Sequence, residues 1–188
     1  MAITESMPEH YNVNDTQDHG ATFAMLYEQF MPKIFRYIDY RVGDIRTAED
    51  LTSYIFEKAL AGFHSFNPEK ALFFTWLMSI TRHTLIDYFR ANKKEYQAVP
   101  LEKASEISTN DPSPEEEFQR KEEQQRLRVC MAGLSVQEQE IISLKFGAEM
   151  NNRQIARILY ISESNVGTIL YRAVRKLRDS FKEWQNEQ

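Results

Sequence analysis

NRQIARILYISESNVGTILYRAVRKLR, residues 152–178, reads as two short helices joined by a tight turn. In the second helix Val166, Ile169, Leu170, Ala173 and Leu177 fall at i, i+3, i+4, i+7 and i+11, a single stripe at helical period. Ser162 stands just before it, where a hydroxyl can accept from the free backbone N–H groups of the first turn. Facing away from the stripe are Ser164, Asn165, Thr168, Tyr171, Arg172, Arg175 and Lys176. Asn, Thr and Arg hydrogen-bond base edges, and Arg and Lys also neutralise phosphates. This is the layout of a helix-turn-helix that lays its second helix in a DNA major groove. The same pattern also fits an amphipathic hairpin with a solvated basic face, and periodicity alone does not separate the two. Gly167 costs about 1 kcal/mol relative to Ala inside a helix. On the outer face near the N-terminus it would let DNA approach closely. In the first helix Ile155, Ile158 and Leu159 supply apolar contacts, and Ala156 is small enough for a close crossing.

A DNA partner has to be reconciled with a net charge of −5 over 188 residues. The charge is uneven. Residues 1–20 carry Glu5, Glu9, Asp15 and Asp18 with no Lys or Arg, and read as a disordered acidic leader. From Leu134 onward eight Lys/Arg face seven Asp/Glu, and the basic ones cluster between Arg153 and Lys182. The attraction is therefore local, and strong non-specific binding is not expected. Hydrophobic residues at 42% suffice for a core, while only 6 Gly and 6 Pro suit an all-helical chain. The single Cys130 excludes an internal disulfide and a Cys-based zinc site, and fits a reducing, cytoplasmic setting. No apolar run approaches the roughly 18 residues of a membrane span. No basic-then-apolar secretory signal opens the chain.

Outward from the hairpin, the chain divides into two helical bodies and a tether. The first body occupies residues 21–92. Its first helix, about Thr22–Val42, sets Phe23, Leu26, Tyr27, Phe30, Ile34, Tyr37, Ile38 and Arg41 on one side, with Pro32 as a kink or break. Gly43-Asp44 interrupts the pattern. A second helix, about Arg46–Ala61, carries Ala48, Leu51, Ile55, Phe56 and Ala59, and Gly62 ends it. A loop with the turn signal Asn67-Pro68 leads to a third helix, about Leu72–Asn92. Residues 93–114 have no sustained stripe and read as a flexible linker. The second body is 115–188. A charged helix starts at Pro114, and Ser135 with Glu138 forms a capping box for VQEQEIISLKF, which ends before Gly147. The fold expected is all-α: two small helical domains joined by a flexible linker, the second ending in the helix-turn-helix.

Three stretches, in this order and spacing, resemble the ECF-type sigma factors of bacterial RNA polymerase over most of residues 21–182. AEDLTSYIFEKAL at 48–60 resembles their polymerase-clamp-binding segment. FFTWLMSITRHTLIDYFRANKK at 73–94 resembles the helix that melts and holds the downstream promoter element. LSVQEQEIISLKF with the hairpin resembles their second domain.

The resemblance implies a non-enzymatic transcription-initiation factor without a cofactor, whose partners are core RNA polymerase, promoter DNA and, as is common in the family, an anti-sigma factor. It implies Asp50, Leu51, Phe56, Tyr37 and Arg41 for polymerase. For the downstream element it implies Phe63, His64, Ser65, Phe66 and Asn67 in the loop, with Arg82, His83, Arg90, Lys93 and Lys94 along the third helix. Aromatic platforms beside cations trap unstacked bases at about 1–3 kcal/mol per base. Trp76 could serve as such a platform, but its apolar spacing and the family pattern place it in the bundle.

The chain departs from the family at Ser53-Tyr54, where Gln-Glu is usual, and at His83, where Asn is common. At Tyr160 the turn usually has Gly. A positive φ is costly for Tyr, so an altered turn or a Tyr packed over it is expected. An ordinary helix-turn-helix regulator, acting without being a polymerase subunit, would explain residues 134–182 but not the aromatic first body. An enzyme finds little support. His83 and Asp87 stand at i, i+4, but His10, His19 and His64 add no metal-ligand spacing.

Overall fold

The computed structural model describes residues 19–92 and 125–186. The acidic leader, but for its last two residues, the linker and the first turns of the charged helix lie outside them. All regular structure among the described residues is helical.

Helix α1 runs His19–Val42 and continues through Pro32. The residues after the proline, Ile34, Tyr37 and Ile38, are almost fully buried, and that packing offsets the about 3 kcal/mol a helical proline costs. Gly43 takes the left-handed conformation at φ 69° and closes the helix, its N–H donating to the Asp39 carbonyl at 2.9 Å. Asp44 then caps α2, Ile45–Gly62, accepting from the Thr47 N–H at 2.8 Å. The stripe that α2 buries is Ala48, Thr52, Ile55, Phe56 and Ala59. A 3-10 turn at Phe63–Ser65 and an Asn67-centred turn lead to α3, Phe73–Ala91. Rings from all three helices meet edge-on: Phe23 of α1 lies 6.5 Å from Phe56 of α2 and 6.4 Å from Phe73 of α3.

In the second half residues 125–132 are helical and form α4. Helix α5, Val136–Ile142, opens on the expected capping box of Ser135 and Glu138. It then widens into a π-helical turn over Ser143–Gly147 before α6, Asn152–Leu159, and α7, Glu163–Asn186. A small core of Met131, Leu134, Ile142 and Ala173 binds α4, α5 and α7 together.

The two halves are packed on each other. One continuous core runs from Phe23 through Ile141, Leu144 and Met150 to Ile155 and Val166. The close approach is made at Gly147, where a Cβ would stand 2.8 Å from both Cα and N of Tyr37. No side chain fits there without moving one half.

Candidate nucleic-acid interface

Helices α6 and α7 form the hairpin read from the sequence. Asn151 caps α6 and Ser162 caps α7, its Oγ accepting from the Asn165 N–H at 3.2 Å. Val166 and Ala173 are fully buried, and Ile169, Leu170 and Leu177 half-buried. That burial fixes the rotation of α7. Ser164, Asn165, Thr168, Tyr171, Arg172, Arg175 and Lys176 are consequently all exposed on the opposite side. Arg175 lies 3.9 Å from Asp179, a loose surface pair. Lys176 differs from the others. Its Nζ donates to Glu138 at 2.8–2.9 Å, and this bond holds the Glu138 carboxyl below its usual range. Lys176 thereby ties α7 to the start of α5.

One detail of the hairpin departs from the sequence reading. Tyr160 does not pack over the turn. It adopts φ 55°, ψ 41° itself and remains 94% exposed, so the turn keeps a left-handed geometry without glycine. Gly167 is open but for one neighbour: a Cβ there would meet only Asn152 Nδ2 of α6, at an ordinary 3.9 Å.

The loop before α3 forms a pocket of about 370 Å³ lined by His64, Ser65, Phe66, Asn67, Pro68 and Glu69. Four of the five loop residues singled out from sequence line it. The fifth, Phe63, is buried beneath, stacked on Phe66 with ring centroids 6.2 Å apart and planes 12° apart. Trp76 supports the same wall, 5.3 Å from Phe66 and 5.5 Å from Phe73. It is bundle packing, not a free platform. Along α3, His83 is exposed with Nδ1 2.7 Å from the Ser79 carbonyl oxygen, and Asp87 pairs with Arg90 at 3.8 Å. The two do not form an acid–base pair. Arg82 turns away from the loop toward the second half. Lys93 and Lys94 lie outside the described residues.

On α2, Asp50 is exposed, Leu51 half-buried and Phe56 buried against Tyr27, with centroids 4.8 Å apart. Ser53, Tyr54, Glu57 and Lys58 extend the same exposed surface, with Lys58 Nζ 5.1 Å from the Tyr54 ring centroid. Tyr37 and Arg41 do not share this surface. Both are buried at the junction of the halves.

That junction was not anticipated from the sequence. Tyr37 donates to Glu140 at 3.0 Å, Arg82 donates to Glu140 at 2.9 Å, and Arg41 lies 3.1 Å from the other Glu140 oxygen. Burial, and then the Glu140 carboxylate, push the Tyr37 phenol well above its usual range. At the rim Lys33 and Arg36 both pair with Glu149. The Lys33 hydrogen bond is the main cause that holds the Glu149 carboxyl below its usual range. Arg128 of α4 reaches Asp39 of α1 at 3.5 Å, yet burial still raises the Asp39 carboxyl. The signal that could have found this side of α5 is the run Ile141, Ile142, Leu144. Three apolar residues within four cover more than one side of a helix, so α5 is packed from two directions.

Two family models match the chain: Sigma-70 region 2 over residues 26–95 and Sigma-70, region 4 over residues 124–177. The chain is 32% identical over 171 residues to the RNA polymerase sigma factor YlaC of Bacillus subtilis (strain 168), covering 90% of this chain and 98% of that protein. It is 33% identical over 157 residues to the ECF RNA polymerase sigma factor BldN of Streptomyces coelicolor, covering 82% of this chain but 58% of that longer protein. Among solved structures, the sigma factor RpoE in complex with the anti-sigma factor NepR from Bartonella quintana matches with a TM-score of 0.65 at 20% identity, over 86% of this chain and 97% of that one. At that identity the likeness is one of fold.

Proposed function

With the chain belonging to the ECF sigma factors of bacterial RNA polymerase, we propose that its exposed surfaces divide promoter recognition between them. As a sigma factor it makes and breaks no bonds, and its partners are core polymerase and promoter DNA. Residues 21–92 act as the region 2 domain, residues 115–188 as the region 4 domain, and residues 93–114 as the linker that sets the distance between two promoter elements.

The exposed α2 surface around Asp50 and Leu51 docks on the polymerase, with Phe56 as its buried anchor. The pocket of His64, Ser65, Phe66 and Asn67 takes a base extruded from the downstream element. Extrusion costs a few kcal/mol, which a shaped pocket offsets only for the right base. Arg82, His83, Arg90, Lys93 and Lys94 hold the single strand. Ser164, Asn165, Thr168, Tyr171, Arg172 and Arg175 read the upstream element as a duplex, and Lys176 adds charge from its tethered position. Tyr37 and Arg41 join the polymerase contact only once the halves part. The setting proposed is the cytoplasm, where polymerase acts, and no described helix is long and apolar enough to cross a membrane. An anti-sigma partner is proposed by analogy with the structural relative that is held by one.

The observation that carries this reading is the α7 surface. Burial of Val166 and Ala173 turns every base- and phosphate-seeking side chain of the helix outward at once. The test against an ordinary helix-turn-helix regulator is co-elution with core polymerase. A sigma factor forms a stable complex with core. A chain that binds promoter duplex tightly alone and ignores core would be a regulator.

A further inference from the structure

Tyr37, Arg41 and Arg82 of the first half converge on one carboxylate of the second. Glu140 of α5 accepts from Tyr37 Oη at 3.0 Å and Arg82 Nε at 2.9 Å on one oxygen, and faces Arg41 Nε at 3.1 Å with the other. Arg41 also donates to Gln139 at 3.2 Å and stands over the Phe89 ring at 5.2 Å. Arg82 Nη1 donates to the Ile158 carbonyl at 3.0 Å, at the C-terminal end of α6 where the helix dipole favours a cation. The side chains of Arg41 and Glu140 are only 8% and 14% exposed, so salt screens the pair little.

Parting the halves rehydrates Glu140 and both arginines but gives up their mutual attraction, which is strong where the site is little exposed. The halves therefore part more readily when another anion takes the arginines. Nucleic-acid phosphates are such anions, and they meet guanidinium groups in the same bidentate manner as a carboxylate.

We propose that Glu140 is an autoinhibitory latch: it holds the two halves closed and occupies Arg82 and Arg41 until DNA and polymerase displace it. The latch rests on geometry. That the released Arg82 meets single-stranded DNA rests on the functional reading above. Gly147 is a second closing contact of a different kind, since it depends on shape and carries no charge.

The test uses the full chain carrying a donor–acceptor dye pair on exposed positions, Glu57→Cys on α2 and Lys182→Cys on α7, with Cys130→Ser. Glu140→Gln keeps the shape and removes the charge. It lengthens the distance between dyes and tightens binding of an oligo-dT single strand about tenfold, the gain when the open state rises from roughly a tenth of the population to most of it. Gly147→Ala gives the same two changes without touching a charge. Linkage adds a reading on the unsubstituted junction: saturating oligo-dT lengthens the dye distance. Unchanged distances in both variants overturn the latch, as does opening without tighter binding. Oligo-dT bound at the closed distance does so even if a variant fails to fold. Run-off transcription by the wild-type chain stands apart from these outcomes, so transcription without opening sinks the latch and leaves the sigma-factor reading intact.

Discussion

Arg172 and Arg175 stand three residues apart on the exposed face of α7, within reach of one stretch of groove. Replacing either with Ala weakens binding of the holoenzyme to its upstream element by about 1–3 kcal/mol if the contact is to a base. Association with core polymerase stays unchanged. Fluorescence anisotropy on promoter duplex and co-elution with core separate the two, and loss of core binding would show that α7 faces the polymerase instead. At Tyr160 the prediction concerns stability. A left-handed non-glycine residue costs about 1–2 kcal/mol, and glycine gives part of that back as unfolded-chain entropy. Tyr160→Gly therefore raises the unfolding free energy by about 1 kcal/mol or slightly less, read by urea denaturation. A lower value would mean that the exposed ring stabilises the turn. The outward set on α7 was legible because one buried stripe fixes every other residue of a helix. The conformation of Tyr160 was not. The crossing of α6 on α7 demands the turn, and that demand is made by Ile155 and Val166 packing, not by the local residue.

Two element boundaries were legible from their caps. Ser135 with Glu138 before α5 and Ser162 before α7 hold the first-turn N–H groups as the sequence suggests, whereas Asp44, read only as a break in the pattern, caps α2. The same Glu138 joins elements, since it accepts from Lys176 of α7 while capping α5. Lys176 first, and then the Ser135 cap against the opposing cost of burial, hold its carboxyl below the ordinary range. A carboxyl whose folded pKa is depressed stabilises above its unfolded value and loses that contribution as pH falls through the folded one. Glu138→Gln thus lowers the melting temperature at pH 7, and the gap to wild type narrows below about pH 4. A gap that persists undiminished in acid would mean that shape, not charge, matters at this position. Less legible was the π-helical turn at Ser143–Gly147. A single widened turn leaves the apolar period nearly intact, and it packs on α1, about a hundred residues away in sequence, with Gly147 against the Tyr37 backbone.

At the scale of the molecule, two helical bodies could be read from composition and period, but their docking could not. It depends on Glu140 meeting Tyr37, Arg41 and Arg82, and on Gly147 meeting the Tyr37 backbone. Each is a single residue whose partner is distant in sequence, and none disturbs a local pattern. Arg82 was read as a cation for the single strand, yet in the closed chain it serves the junction. Tyr37 gives that junction a pH dependence. Its folded pKa is raised, so its contribution is whole below about pH 10 and is lost as pH climbs above that value. The dye pair should report opening at alkaline pH that is absent in Tyr37→Phe, and equal behaviour of the two would assign the opening to another group. As a sigma factor this chain directs core polymerase to promoters. Run-off transcription of fragmented genomic DNA of the source bacterium, by core polymerase with and without the chain, tests it most directly. A sigma factor yields a small set of discrete transcripts that appear only with the chain and that Arg172→Ala depletes. Identical transcripts with and without it, from a chain shown to be folded, would contradict it.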